Sequence, residues 1–90
     1  MINIYYTARE GRRNRYGHTT TRGEVYIIRR GDNTTPHGED ALENIGEYVH
    51  QSGGADIELS ILTVCEKAGI NTNGGYYGSR WRESVNLIEI

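Results

Sequence analysis

The sequence predicts an α+β fold, in which a small antiparallel sheet of β-β-α-α-β order carries two helices packed on one face. Three observations predict it. Segments near both ends of the chain are rich in β-branched and aromatic residues, which favours strands. Two central segments repeat apolar residues at helical spacing. Packing in layers then places both helices on one face of the sheet.

The first half of the fold is predicted to be two strands joined by a long basic hairpin. Residues 2–8 alternate apolar and polar side chains, and residues 24–29 combine Val, Ile and Tyr, so both segments are typical of strands. Between them, residues 9–23 are polar and rich in arginine. Since hairpin loops rarely exceed about five residues, either the strands extend into this segment or the loop is functional. We expect a mobile hairpin tip near residues 9–23.

The first helix is predicted after a glycine- and proline-containing segment at residues 31–38. Asp40 or a neighbour begins it, and residues 52–54 end it with a serine and two glycines. Its apolar residues recur at the spacing of one helix face: Ala41, Leu42, Ile45, Tyr48 and Val49.

A second helix and a final strand complete the prediction. Asp56 is a good N-cap residue, and Gly69 is typical of the position after a helix. Alternating apolar residues leave a strand open as the rival for residues 57–68. Residues 84–90 are predicted to form the last strand, with a short additional strand at residues 76–77.

Length and composition indicate one small domain with a thin core. The chain has 90 residues, so residues 1–90 are predicted to form a single compact domain. Only 18 residues are Ile, Leu or Val and Phe is absent, although seven Tyr and one Trp add apolar area. The lone Cys65 excludes an internal disulfide and a cysteine-based zinc site, and its apolar neighbours predict a buried structural thiol.

The apolar residues are too scattered for a membrane segment. No apolar stretch approaches the roughly 20 residues of a membrane-spanning helix. The first residues also lack the basic and then apolar pattern of a signal peptide. We therefore expect no membrane partner and a cytoplasmic location.

Charge is segregated along the chain. Residues 1–30 hold seven arginines and two glutamates, residues 31–60 hold seven acidic side chains and no Lys or Arg, and residues 61–90 are balanced. The net charge of −2 therefore conceals a segment of +5 and a segment of −7. Such segments either pair with each other in the fold or form surfaces of opposite sign.

The sequence contains no recognisable catalytic or metal-binding pattern. The histidines at positions 18, 37 and 50 have no metal-ligand spacing, and no nucleophile elbow or phosphate-binding glycine loop occurs. A composite metal site of His37, Asp32 and Asp40 stays open. We expect a protein that is not an enzyme and that uses no cofactor or metal.

Two segments combine arginine with aromatic residues and are candidates for binding nucleic acid. Arginine neutralises phosphates and tyrosine stacks on unpaired bases. The candidate residues of this alternative function are Arg9, Arg12, Arg13, Arg15, Tyr16, Arg80, Trp81 and Arg82. Arginines that pair internally with the acidic segment are the structural alternative.

The function that the sequence favours first is a small non-enzymatic module that binds a protein. An acidic helix suits a basic groove on a nucleic-acid-handling complex, because complementary charge speeds association. The candidate contacts are Glu39, Asp40, Glu43 and Glu47, with Tyr76, Tyr77 and Trp81 as anchors. In size and charge pattern the chain resembles the small inhibitors encoded by phages and mobile elements, including anti-CRISPR-type proteins. That resemblance implies an inhibitor or adaptor; self-association between oppositely charged faces also stays open.

Overall fold

One helix covers one face of a five-stranded mixed sheet in the computed structural model of the protein, which describes residues 1–29, 41–52, 56–73 and 80–90. The helix, α1, spans Ile57–Lys67 and a short 3-10 helix spans Arg80–Glu83. The strands are β1 Ile2–Tyr6, β2 Arg9–Arg13, β3 Thr19–Arg29, β4 Ala41–Gln51 and β5 Val85–Glu89.

The long strand β3 organises the sheet. β1 and β2 run end to end along one side of β3 and are antiparallel to it, with Tyr6 opposite Val25 and Arg9 opposite Arg22. β4 pairs antiparallel with the other side of β3 along almost its whole length. β5 lies beside β1. The predicted strands at both ends of the chain are therefore confirmed, and the basic segment is the ribbon of β2 and β3.

The predicted first helix is wrong, because residues 41–51 form strand β4. Its apolar residues matched a helical spacing because β4 contains a bulge at Ile45 and Gly46, which both lie opposite Val25. The extra residue shifts the alternation of faces, so Ile45 and Tyr48 both contact the core. As a strand, this segment makes its backbone hydrogen bonds with β3. As a helix it would contain Gly46, and a glycine inside a helix lowers stability by about 1 kcal/mol relative to alanine.

The predicted antiparallel sheet with two helices is also wrong, since β5 is parallel to β1 and the described residues contain one α-helix. β4 and β5 point in the same direction, because both β4 and β1 are antiparallel to β3. Parallel strands need a crossover connection, which is usually helical. α1 lies on that connection, and the helix predicted over residues 57–68 is confirmed at Ile57–Lys67.

The core lies between α1 and the sheet. Its fully buried side chains include Ile4, Val25, Ile61 and Leu62. Cys65 is buried among them as predicted, and burial raises the pKa of its thiol to about 11. Such a thiol carries almost no thiolate at neutral pH, so it is inert. Within the described residues, no helix is long and apolar enough to cross a membrane.

The ribbon of β2 and β3 joins the core at a crowded junction. The phenol of Tyr48 donates a hydrogen bond to the Thr7 carbonyl at 2.6 Å, directly over Gly23. A Cβ atom on Gly23 would lie 1.8 Å from that carbonyl oxygen and 2.7 Å from the Tyr48 ring. Glycine at this position therefore allows the ring and the backbone to meet.

Candidate functional site

The most unusual surface is the basic arm, which we define as residues 9–22 of β2, the turn and the start of β3. Every residue from Arg9 to His18 is exposed, and no member of the buried core belongs to the arm. The arm carries arginines at positions 9, 12, 13, 15 and 22 against one acidic residue, Glu10. It is thus a strongly positive projection from a chain whose net charge is −2.

Hydrogen bonds define the turn at the tip of the arm. The Gly17 N–H donates to the Asn14 carbonyl at 3.0 Å, and the Asn14 N–H donates to the His18 carbonyl at 2.8 Å. The Asn14 side-chain oxygen also accepts bonds from the N–H groups of Tyr16 and His18. Gly17 has φ +82°, which suits the left-handed third residue of such a three-residue hairpin loop. Arg15 and Tyr16 are therefore held at the apex; the mobility predicted from the sequence stays a prediction.

The arm is positive on both faces. Arg9 lies opposite Arg22, and Arg13 lies opposite Thr19, with a bulge in β2 between them. Thr19 and Arg22 are three positions apart on β3, so their side chains lie on opposite faces. Without the bulge, Arg9 and Arg13 would share one face.

An ion pair anchors the base of the arm. A guanidinium nitrogen of Arg9 lies 2.9 Å from a carboxylate oxygen of Glu24, and the Thr7 hydroxyl donates to the other oxygen. The hydrogen bond from Thr7, and then the one from Arg9, lowers the pKa of Glu24 below its ordinary value. The bond to Glu24 raises the pKa of Arg9. Arg9 is thus a structural residue.

The other arginines of the arm point their charge outward. Arg9–Glu24 is the one ion pair in the parts of the chain that the structure describes. Within those parts, internal pairing between the arm and the acidic segment is not observed. Arg15 lies over the Tyr16 ring, with 5.6 Å between its guanidinium carbon and the ring centroid. A positive, exposed and hydrogen-bonded hairpin can bind phosphates or carboxylates.

The second arginine–aromatic segment does not join the arm. The Ile2 N–H donates to the Ser84 carbonyl, so the 3-10 helix lies beside the start of β1, whereas the arm leaves the end of β1. Five strand residues separate the two ends by about 16 Å. Trp81 is only 7% exposed, and the exposed Arg82 stacks on it at 4.5 Å. Trp81 is therefore a core residue and is not available as an anchor.

The predicted acidic surface is divided. Glu43 lies opposite Ile27 and Glu47 lies opposite Glu24, so the bulge in β4 places the two carboxylates on opposite faces of the sheet. The sequence had predicted that they share one helix face. Several other predicted positions lie outside the described residues: Asp32, His37, Glu39, Asp40, Tyr76 and Tyr77.

The sequence prediction missed an apolar patch on the face of the sheet opposite α1. Ile28 and Leu42 are cross-strand partners on that face, and they are 46% and 48% exposed. Tyr26 lies on the same face, opposite Tyr5 on β1. Residues 42 and 49 were assigned to the buried side of a helix. The glycine at position 46 was the feature of the sequence that argued against that assignment.

The described residues contain no group of three or more His, Cys, Asp or Glu side chains able to hold a metal ion. Comparison with known protein families, with curated proteins and with solved structures found no match to this chain. Function must therefore be argued from the surfaces themselves.

Proposed function

We propose that this protein is a non-enzymatic binding module whose basic arm contacts the phosphate backbone of a nucleic acid. The observation that supports this proposal is the exposure of arginines on both faces and at the tip of one hydrogen-bonded hairpin. Arginine is suited to phosphate because its planar fork makes bidentate, charge-assisted hydrogen bonds. Arg12, Arg13 and Arg15 are the principal contacts.

The net negative charge of the chain does not oppose this function. At physiological ionic strength, exposed charges more than about 8 Å apart are largely screened from each other. The arm belongs to a molecule that is 52 Å long. The residues of β4 that pair with the arm, Val49 to Gln51, include no acidic side chain. A phosphate at the tip therefore experiences mainly the arm.

The test is the binding of a fluorescein-labelled oligonucleotide, followed by anisotropy at low salt. Replacing Arg12, Arg13 and Arg15 together by alanine should weaken binding at least tenfold, because three phosphate contacts are lost. Arg29→Ala is the control for loss of an arginine outside the arm, since Arg29 is exposed at the other end of β3. Equal affinity for the triple variant and the wild type, or no binding by the wild type, would contradict the proposal.

A second candidate function is the binding of a protein, as an inhibitor or adaptor. The apolar patch formed by Tyr26, Ile28 and Leu42 favours it, because apolar side chains grouped on one sheet face are typical of interaction surfaces. Glu47 lies on this face as well and would suit a basic partner.

The protein-binding candidate predicts that Ile28→Asp together with Leu42→Asp abolishes capture of one stoichiometric protein from the native host. Both side chains are about half exposed, so the variant should fold, and its thermal unfolding is the control for that. Recovery of the same proteins on wild-type and variant baits would eliminate this surface.

A further inference from the structure

The tip of the basic arm carries an exposed aromatic ring with no packing role. Tyr16 is 75% exposed, and it is the most exposed tyrosine among the described residues. Its backbone N–H is already satisfied by Asn14, and only Arg15 lies over its ring. An aromatic ring held in water at the apex of a positive hairpin contributes little to folding and is accessible to a ligand.

The geometry of the arm argues against insertion into a double helix. β4 runs beside β3 to Gln51, and the next residue, Ser52, donates its N–H to the Thr19 carbonyl and accepts from the Thr19 N–H through its hydroxyl. The ribbon is therefore three-stranded up to the turn, and its outer strand axes are about 10 Å apart before side chains are added. The major groove of B-DNA is about 12 Å wide. Only the turn itself is narrow enough to enter.

On the basis of the proposed function, we infer that Tyr16 is a base-stacking residue and that the preferred ligand is a nucleic acid with unpaired bases. In a duplex both faces of each base are covered by its neighbours, whereas a single strand offers a free face for a ring. Arg15 lies over that ring, and the exposed Arg12 and Arg13 precede it on the same hairpin, so these arginines would hold the adjoining phosphates. Because stacking is tolerant of sequence, the ligand is defined by its strandedness.

The experiment compares single strands and duplexes of about 20 nucleotides, as DNA and as RNA, with the wild type, Tyr16→Ala and Tyr16→Phe. Loss of one stacked base should weaken single-strand binding by roughly 5- to 150-fold in Tyr16→Ala. Tyr16→Phe should bind like the wild type, because the aromatic face is kept. Duplex binding should be weaker and unchanged by either substitution. A strand with 2-aminopurine near its centre should change its fluorescence with the wild type and not with Tyr16→Ala.

The failure of this inference differs from the failure of the proposed function. If single strands bind with steep salt dependence but Tyr16→Ala is equal to the wild type, the arm contacts phosphates alone and the stacking role is wrong. Tighter binding of the duplex would also overturn it. If no oligonucleotide binds at low salt, both the proposed function of the arm and the stacking role of Tyr16 are wrong. Since Tyr16 is exposed, all three proteins should have the same thermal unfolding.

Discussion

At the scale of single residues, Gly46 controls how β4 meets the helix. Its φ is +153°, its N–H donates to the Asn44 side-chain oxygen at 2.8 Å, and it lies beneath Val64 of α1. A Cβ atom there would lie 2.7 Å from the Cγ1 atom of Val64. The bulge therefore depends on a residue with no side chain, both for its backbone angle and for its contact with α1.

Gly46→Ala should lower the free energy of unfolding by about 1–3 kcal/mol, because the added methyl group overpacks the contact with Val64. Val64→Ala creates space at the same point, so the double variant should lose less stability than the two single variants predict. Urea unfolding of the four proteins measures this coupling. If the losses of the two single variants simply add in the double variant, the contact with Val64 is not what destabilises Gly46→Ala.

At the scale of elements, the junction of the arm with the sheet depends on Glu24. Hydrogen bonds from Thr7 and Arg9 lower the pKa of this carboxyl below its ordinary value of 4.5. A carboxyl whose pKa is lowered by folding stabilises the protein above its ordinary pKa, and that contribution is lost as the pH falls through the lower, folded value.

Glu24→Gln should therefore lower the melting temperature at pH 6 and have a diminishing effect as the pH falls below 4.5, the ordinary pKa of the carboxyl. Thermal unfolding followed by circular dichroism across that range gives both curves. Glu10→Gln is the matched control, since Glu10 is an exposed glutamate of the arm with no ion pair among the described residues. Parallel curves for the wild type and Glu24→Gln would show that the carboxylate does not stabilise the junction.

The helix α1 and the strand β4 show where local sequence patterns are sufficient to predict secondary structure and where they are not. The helix favoured over a strand for residues 57–68 is confirmed as α1, and the signals that favoured it, Asp56, Gly69 and apolar residues at helical spacing, are all local. β4 was missed because its bulge imitates a helical spacing. Pairing with β3, which precedes β4 in the chain and lies outside the segment whose periodicity is read, decides between a helix and a strand. The same bulge separates Glu43 from Glu47, so the acidic surface predicted on a helix does not form. Bulges depend on partner strands, and no local pattern reveals the partner.

The basic arm was predictable because its evidence is local. Four arginines between positions 9 and 15, with a tyrosine and a glycine beside them, indicate an exposed segment, and the strands predicted on either side of it indicate a hairpin. Its separation from Arg80 and Trp81 was not predictable. That separation follows from the parallel pairing of β5 with β1, which places the 3-10 helix at the start of β1.

At the scale of the whole molecule, most arginines of the basic segment lie in one projecting arm, whereas Glu43 and Glu47 of the acidic segment lie on opposite faces of the sheet. No residue of the arm belongs to the buried core, and the arm carries five arginines against one acidic residue. Within the described residues one ion pair, Arg9–Glu24, holds the projection to the sheet, and the remaining arginines of the arm are directed outward. The net charge of −2 is therefore a poor guide to what the surface binds.

The most direct test of the arm as a phosphate-binding surface is the salt dependence of oligonucleotide binding. The logarithm of the affinity should fall linearly with the logarithm of the salt concentration. Replacing Arg12, Arg13 and Arg15 together by alanine should reduce that slope by about 2 to 3, since each phosphate contact contributes roughly 0.7 to 0.9. Arg29→Ala should keep the wild-type slope. Identical slopes for the wild type and the triple variant would contradict the account, because the counterions would then be released elsewhere on the molecule.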